Sequence, residues 1–132
     1  MAHIFGTLVL AIAALFRLLT TWSSATAPGE FAQRLGLALA NAGGYNEIRA
    51  QYAGFFLAVA AVCGASLAGM VSRQAAFVVL TVAFGGLILG RLASLALDGS
   101  VAGYGPTIRA LYVIDGIGFS LAIAALAVDR PA

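Results

Sequence analysis

Four long apolar stretches, separated by short polar punctuation, make up most of the chain. They run from about residue 4 to 22, 50 to 71, 75 to 97 and 108 to 128. Each is long enough for a helix to cross a bilayer's hydrocarbon core, which takes about 20 mostly apolar residues. The runs are continuous, whereas the strands of a membrane barrel alternate between lipid-facing and lumen-facing residues. Continuous runs point to helices, which satisfy every backbone group within the segment. The pattern predicts an all-α fold, a single integral membrane domain over residues 1–132 built as an antiparallel bundle of four transmembrane helices.

The connections refine this picture. Ser72-Arg73-Gln74 is too short for anything but a tight hairpin between spans two and three. Residues 98–106, with Gly99, Gly103, Gly105 and Pro106, predict a glycine-rich loop between spans three and four. The link between spans one and two is the longest. Within it Pro28 suits a helix start, and Phe31, Leu35 and Leu39 fall on one face, away from Glu30, Gln33 and Arg34. That spacing predicts a short interfacial helix over about residues 29–40, lying on the bilayer. The first span could pass for a signal sequence with a cleavage site at Ala25-Thr26-Ala27. No basic residue precedes the apolar run, and Pro28 would follow the cut, so it is expected to be retained.

Four spans put both termini on one side. At the opposite side, end A, fall Arg17, Glu30, Arg34, Glu47, Arg49, Arg91, Asp98, Arg109 and Asp115, together with Trp22, Tyr45, Tyr52, Tyr104 and Tyr112. Only Arg73, Asp129 and Arg130 face the terminal side. Trp and Tyr ordinarily mark both interfaces, so a one-sided belt suggests that these residues also serve a polar site. Arg91 lies about 9 Å inside its helix end at 1.5 Å per residue. Facing lipid at the bilayer centre it would cost about 2.5–3.5 kcal/mol, less nearer the edge. The expectation is a polar cluster inside the bundle at end A, where Arg91 pairs with Asp115, Asp98 or Glu47. Asn46 is expected to cap the second helix, with Glu47 in its first turn. Ser66 and Ser120 are expected to bond to the preceding helical turn.

An internal echo strengthens the cluster. Ile48-Arg49-Ala50-Gln51-Tyr52 and Ile108-Arg109-Ala110-Leu111-Tyr112 both read I-R-A-x-Y, and Arg17-Leu18 near the end of span one matches Arg91-Leu92 in span three. Two two-span repeats would produce this; chance recurrence of abundant residues is the alternative. Candidate site residues are therefore Arg17, Asn46, Glu47, Arg49, Tyr52, Arg91, Asp98, Arg109, Tyr112 and Asp115.

Composition fits the membrane class. The chain is 62% hydrophobic and 9% charged, with a mean hydropathy of +1.02; soluble domains carry roughly 25% charged residues. The net charge of +2 comes from arginine alone, without lysine. This small balance argues against a nucleic-acid surface and suits forked, multi-donor pairing where water is scarce. Cys63 is alone in an apolar run and reads as a small hydrophobe. One Cys and one terminal His, His3, give no metal cluster of the usual kind, and no cofactor is expected. Counting every arginine favours end A as the cytoplasmic side, but if Arg17, Arg49, Arg91 and Arg109 are buried and paired, Arg73 and Arg130 are the loop charges that count and the termini are expected to be cytoplasmic.

The order N-E-I-R-A-x-Y-x-G-F-F, followed by G-R-L-x-S-L-x-L-D-G near the end of the next span, resembles a bacterial family catalogued as domain of unknown function 4345, small four-span membrane proteins. The matching residues are Asn46, Glu47, Arg49, Tyr52 and Gly54, then Gly90, Arg91, Ser94, Asp98 and Gly99. Ala53 stands where the family pattern has glycine. The resemblance implies architecture, and with it a bacterial inner membrane, but no reaction.

Two functional readings follow. In the first, the chain is a structural or accessory component that packs against itself or a larger membrane complex. Gly64, Ala68, Gly69, Gly85, Gly86 and Gly90 would then permit close helix approach, and the cluster would brace the bundle. In the second, the cluster binds or transports a small anionic or amphiphilic molecule or a lipid, since intramembrane ionisable groups mark functional sites. Enzymatic chemistry is disfavoured: there is no Ser-His-Asp set, phosphate-cradling loop or HExxH. Span one carries Arg17 and no acid, unlike the small multidrug transporters.

Overall fold

The computed structural model describes residues 1–129; Arg130 and Pro131 lie outside the described residues. The elements are α1 (Ala2–Thr26), α2 (Pro28–Arg34), α3 (Ala42–Ile48), a π-helical segment (Arg49–Gly54), α4 (Phe55–Leu67), α5 (Arg73–Asp98) and α6 (Pro106–Val128). The α3, π and α4 segments run on as one rod, Ala42–Leu67, so four helices are long and apolar enough to cross a membrane. α1 packs chiefly on α4 and α5 on α6, and the α1–α6 and α4–α5 contacts close the ring.

Each wall of the core is a helical stripe. On α1 the buried residues are Gly6, Val9, Leu10, Ala13, Arg17 and Ser24, a spacing that keeps them along one face. Phe56, Val59, Ala60, Cys63 and Ser66 form the α4 stripe, and Ala76, Phe77, Leu80 and Phe84 the α5 stripe. α6 contributes Asp115, Ala122 and Ala125. The outward faces, with Ile12, Leu15, Val82, Leu89, Val113 and Ile117, are exposed apolar surface suited to lipid. Arg17 and Asp115 are interior because they continue stripes that are otherwise apolar.

Several boundaries differ from the sequence expectation. The second span begins at Ala42, eight residues before position 50, because Asn41 caps it: its side chain accepts from Gly43 N at 2.9 Å and Gly44 N at 3.3 Å. Asn46 therefore sits inside the helix and does not cap it. The interfacial helix stops at Arg34, short of residue 40. There Gly36, at φ +78°, closes a left-handed cap in which Gly36 N bonds Gln33 O and Leu37 N bonds Ala32 O. Gly69, at φ +75°, ends α4 in the same way.

The small-residue expectation also needs correction. A Cβ added at Gly64, Gly86 or Gly90 would meet nothing within 4 Å, so these glycines do not seat helices of this chain. Gly69 is a cap residue. Of the expected glycines only Gly85 is a close approach, where an added Cβ would lie 3.1 Å from the Phe119 ring. The tight positions are Gly118, where a Cβ would overlap the Phe84 ring, and Gly6, where it would overlap Arg73 and Asp129.

At the terminal end Arg73 ties three helices. Its Nε donates to Asp129 Oδ2 at 2.7 Å, its Nη1 to Thr7 Oγ1 at 3.1 Å and its Nη2 to His3 O at 3.0 Å. Gln74 donates to the Asp129 carbonyl.

Gly118→Val forces Phe84 out of place, and overpacking of this kind costs about 1–3 kcal/mol. Thermal melts in detergent should show Gly118→Val well below wild type and Gly90→Ala within about 0.5 kcal/mol of it.

Candidate functional site

The inward stripes bring four of the expected residues together at end A. Arg91 on α5 meets Asp115 on α6: Nε lies 2.8 Å and Nη2 2.7 Å from Oδ2. Asp115 is 2% exposed. Tyr112, one turn before Asp115, donates its hydroxyl to the Arg91 carbonyl at 2.8 Å, and its ring lies 5.6 Å from the Arg91 guanidinium carbon. Arg17 reaches the same region from α1, where it feels Asp115 across the bundle but shares no hydrogen bond with it.

Arg17 is the unusual member. It is 8% exposed. Its guanidinium carbon lies 4.4 Å from the Phe56 ring centroid and 4.3 Å from that of Phe84, so an aromatic ring covers the cation from each of two helices. Phe56 continues into an aromatic series, with Tyr52 at 6.0 Å and then Phe31 of α2 at 5.0 Å. Desolvated cation–π contacts are worth about 2 kcal/mol each, comparable in sum to the insertion cost of about 2.5–3.5 kcal/mol for a central arginine. The rings interact with the cation's π face and do nothing for its in-plane donors. Nε and Nη2 are both buried without a hydrogen-bond partner, and each such donor costs about 1–3 kcal/mol or more when charged.

The remaining expected residues lie outside this centre. Asp98, at the end of α5, accepts from the Tyr104 hydroxyl and from Ser94 Oγ at 3.1 Å, and it does not pair with Arg91. Arg109 holds the glycine-rich loop, with Nε to Tyr104 O and Nη2 to Ala102 O, both at 2.9 Å. Arg49 is exposed and donates Nε to Ala25 O at 3.4 Å. Asn46 and Glu47 are exposed at the end-A surface, so Glu47 is not the partner of Arg91. Tyr52 is half-buried and touches the cluster only through Phe56.

The π segment explains much of this. Its extra residue rotates what precedes it by roughly 100° relative to α4, so the NEIRAQY stretch does not project along the Phe56–Cys63 stripe. The Ala53 carbonyl in the segment accepts from Thr21 Oγ1 at 3.2 Å. Sequence reasoning also missed Phe56 and Phe84. The available signal was their place on the same inward stripes as Cys63 and Leu80. Ser120 bonds Gly116 O at 2.9 Å as expected, whereas Ser66 Oγ is buried without a partner.

A family model described as domain of unknown function (DUF4345) matches residues 5–113, which include every candidate side chain except Asp115. The chain belongs to the DUF4345 family. No curated protein and no solved structure matches it. Membership brings no ligand or reaction, so the chemistry rests on the DUF4345 bundle's own geometry. That geometry pairs the Asp115 carboxylate with Arg91 and leaves Nε and Nη2 of the buried Arg17 guanidinium without a partner.

Removing one partner of a buried ion pair costs about 3–5 kcal/mol. Asp115→Asn should therefore lower the melting transition sharply, and the double variant Arg91→Leu/Asp115→Leu should recover most of the loss. In the loop, donation to Asp98 holds the Tyr104 phenol above the ordinary tyrosine range, against a smaller opposing effect of Ser94. The bond's contribution is complete below the unperturbed value of about 10 and is lost as pH rises through Tyr104's own higher value. Ultraviolet titration should show one late-ionising tyrosine, and Asp98→Asn should return it toward the ordinary range.

Proposed function

We propose that this four-helix membrane protein binds a small anionic or amphiphilic molecule at Arg17, inside the end-A half of the bundle. The observation that carries the reading is the unpartnered Nε and Nη2 of a buried guanidinium. Bracing accounts for Arg91 with Asp115 and for Arg73 with Asp129, each of which ties helices together. It does not account for Arg17, whose contacts leave two charged donors unmet. Buried Arg17, partly buried Arg91 and buried Asp115 together leave one positive charge where isolated charges are costly. A monoanion balances it. Intramembrane ionisable groups commonly mark such sites. In a bacterial inner membrane, the location we propose, lipids and amphiphilic metabolites would be within reach of end A.

Arg17→Met separates the two readings. Replacing an uncompensated buried charge with an apolar side chain of similar length is neutral or stabilising, and methionine packs well against aromatic rings. The variant should melt at or above wild type. Formate and acetate at tens of millimolar should raise the wild-type melting temperature and leave Arg17→Met unmoved. A variant that melts several degrees lower, with no anion shifting wild type, would establish Arg17 as a brace and end the proposal.

A further inference from the structure

The three arginines that engage the bundle interior differ in one respect. Arg91 and Arg73 each present the Nε–Nη2 edge to an aspartate, Asp115 and Asp129. Arg17 is the most buried of the three, and the same edge of its guanidinium is empty. That edge is a parallel two-donor fork, the geometry that matches the two oxygens of a carboxylate. The sequence echo shows where an internal acid is missing. Asp115 stands three residues after Tyr112, and three residues after Tyr52 stands Phe55.

Phe55 leads to the second observation. It lines an open apolar groove of about 440 Å³ between α4 and α5, with Val59, Val78, Val79, Val82, Ala83, Gly86 and Leu87. The two rings that cover Arg17 do not line this groove but are next to residues that do. Phe56 follows Phe55 and lies one turn from Val59 on the same face of α4. Phe84 follows Ala83 and lies one turn from Leu87 on α5. A Cβ at Gly86 would touch nothing within 4 Å, so the groove is unfilled there by the chain itself.

Resting on the anion-binding reading above, we infer that the ligand is a single-chain carboxylate amphiphile of the long-chain fatty acid type. Its carboxylate takes the Nε–Nη2 fork of Arg17, and its hydrocarbon chain lies in the α4–α5 groove. The charge fits: one carboxylate neutralises the single excess positive charge of Arg17, Arg91 and Asp115. The head fits as well, because a planar carboxylate is slim enough to approach a guanidinium edge between two rings. The Phe56 and Phe84 rings part to admit it, and the groove beside them gives room on the lipid side. Lipid tails are as apolar as the groove, so the chain contributes packing and direction, and the charge contributes selectivity.

The test uses the full chain in nanodiscs of zwitterionic lipid, with carboxyl-¹³C hexadecanoate as probe and hexadecanol as the uncharged control. Wild type should bind hexadecanoate saturably at one per chain, with a shifted carboxyl resonance, and should not respond to hexadecanol. Arg17→Gln and Gly86→Leu should each weaken binding roughly tenfold or more. At Gly86 a Cβ meets nothing within 4 Å, so Gly86→Leu adds bulk in the groove and keeps the inference falsifiable should Arg17→Gln fold poorly. If Gly86→Leu binds as wild type does while Arg17→Gln does not, the anion site stands and the groove assignment is overturned. If hexadecanol binds as well as hexadecanoate, or Arg17→Gln binds as wild type does, both the carboxylate and the anion-site reading fall.

Discussion

The ion pair between Arg91 and Asp115 joins α5 to α6 within a candidate membrane span, with Asp115 almost fully buried and Arg91 mostly so. In hydrocarbon no solvent screens a charge or completes a hydrogen bond, so each polar group must be met within the protein. The pair meets this demand with two donors on one carboxylate oxygen. Tyr112 extends it by bonding the Arg91 carbonyl, and Tyr112 in turn stacks on Tyr104 at 6.1 Å. Through Tyr104 the network reaches Asp98, Ser94 and the loop that Arg109 holds. The α5–α6 hairpin is thus organised outward from one buried charge.

The α1–α4 hairpin solves the same problem differently. It carries a buried arginine of its own, while its acids, Glu30 and Glu47, are exposed. Aromatic rings from α4 and α5 replace the carboxylate, and Thr21 satisfies a carbonyl released by the π segment. π-helical turns are uncommon and often accompany functional sites. Here the segment lies on the rod that supplies Phe56, which covers the one guanidinium among the described residues with buried, unpartnered donors. The asymmetry between the hairpins, one with its charge internally neutralised and the other without, makes Arg17 the chemical centre of interest.

Much of this was legible along the chain. Continuous apolar runs with three interruptions specify four helical spans, because the bilayer penalises any other backbone arrangement. The loop glycines and Pro106 marked the third connection, and the one-sided placement of arginine and tyrosine located the polar end. Arg17, Arg91, Tyr112 and Asp115 were identifiable because each is an expensive residue at membrane depth. The errors cluster where local backbone detail decides the outcome. Asn46 looked like a cap because Asn commonly is one, but Asn41 occupied that role five residues earlier. Gly64, Gly86 and Gly90 looked like packing glycines, since spacing on a helix does not reveal which face has a neighbour.

The sequence by itself determined the number of spans, the end at which polarity collects and the fact that some arginines must lie inside, since hydrophobicity and chain length are local properties. Only the tertiary structure decided which arginine receives the single buried aspartate. That choice depends on helix rotation and on a π segment that turns NEIRAQY away from the core, and neither is written in any short stretch of residues. It gave Asp115 to Arg91 and left Arg17 between two phenylalanine rings, because α6 places its one inward acid within hydrogen-bonding reach of α5 and not of α1.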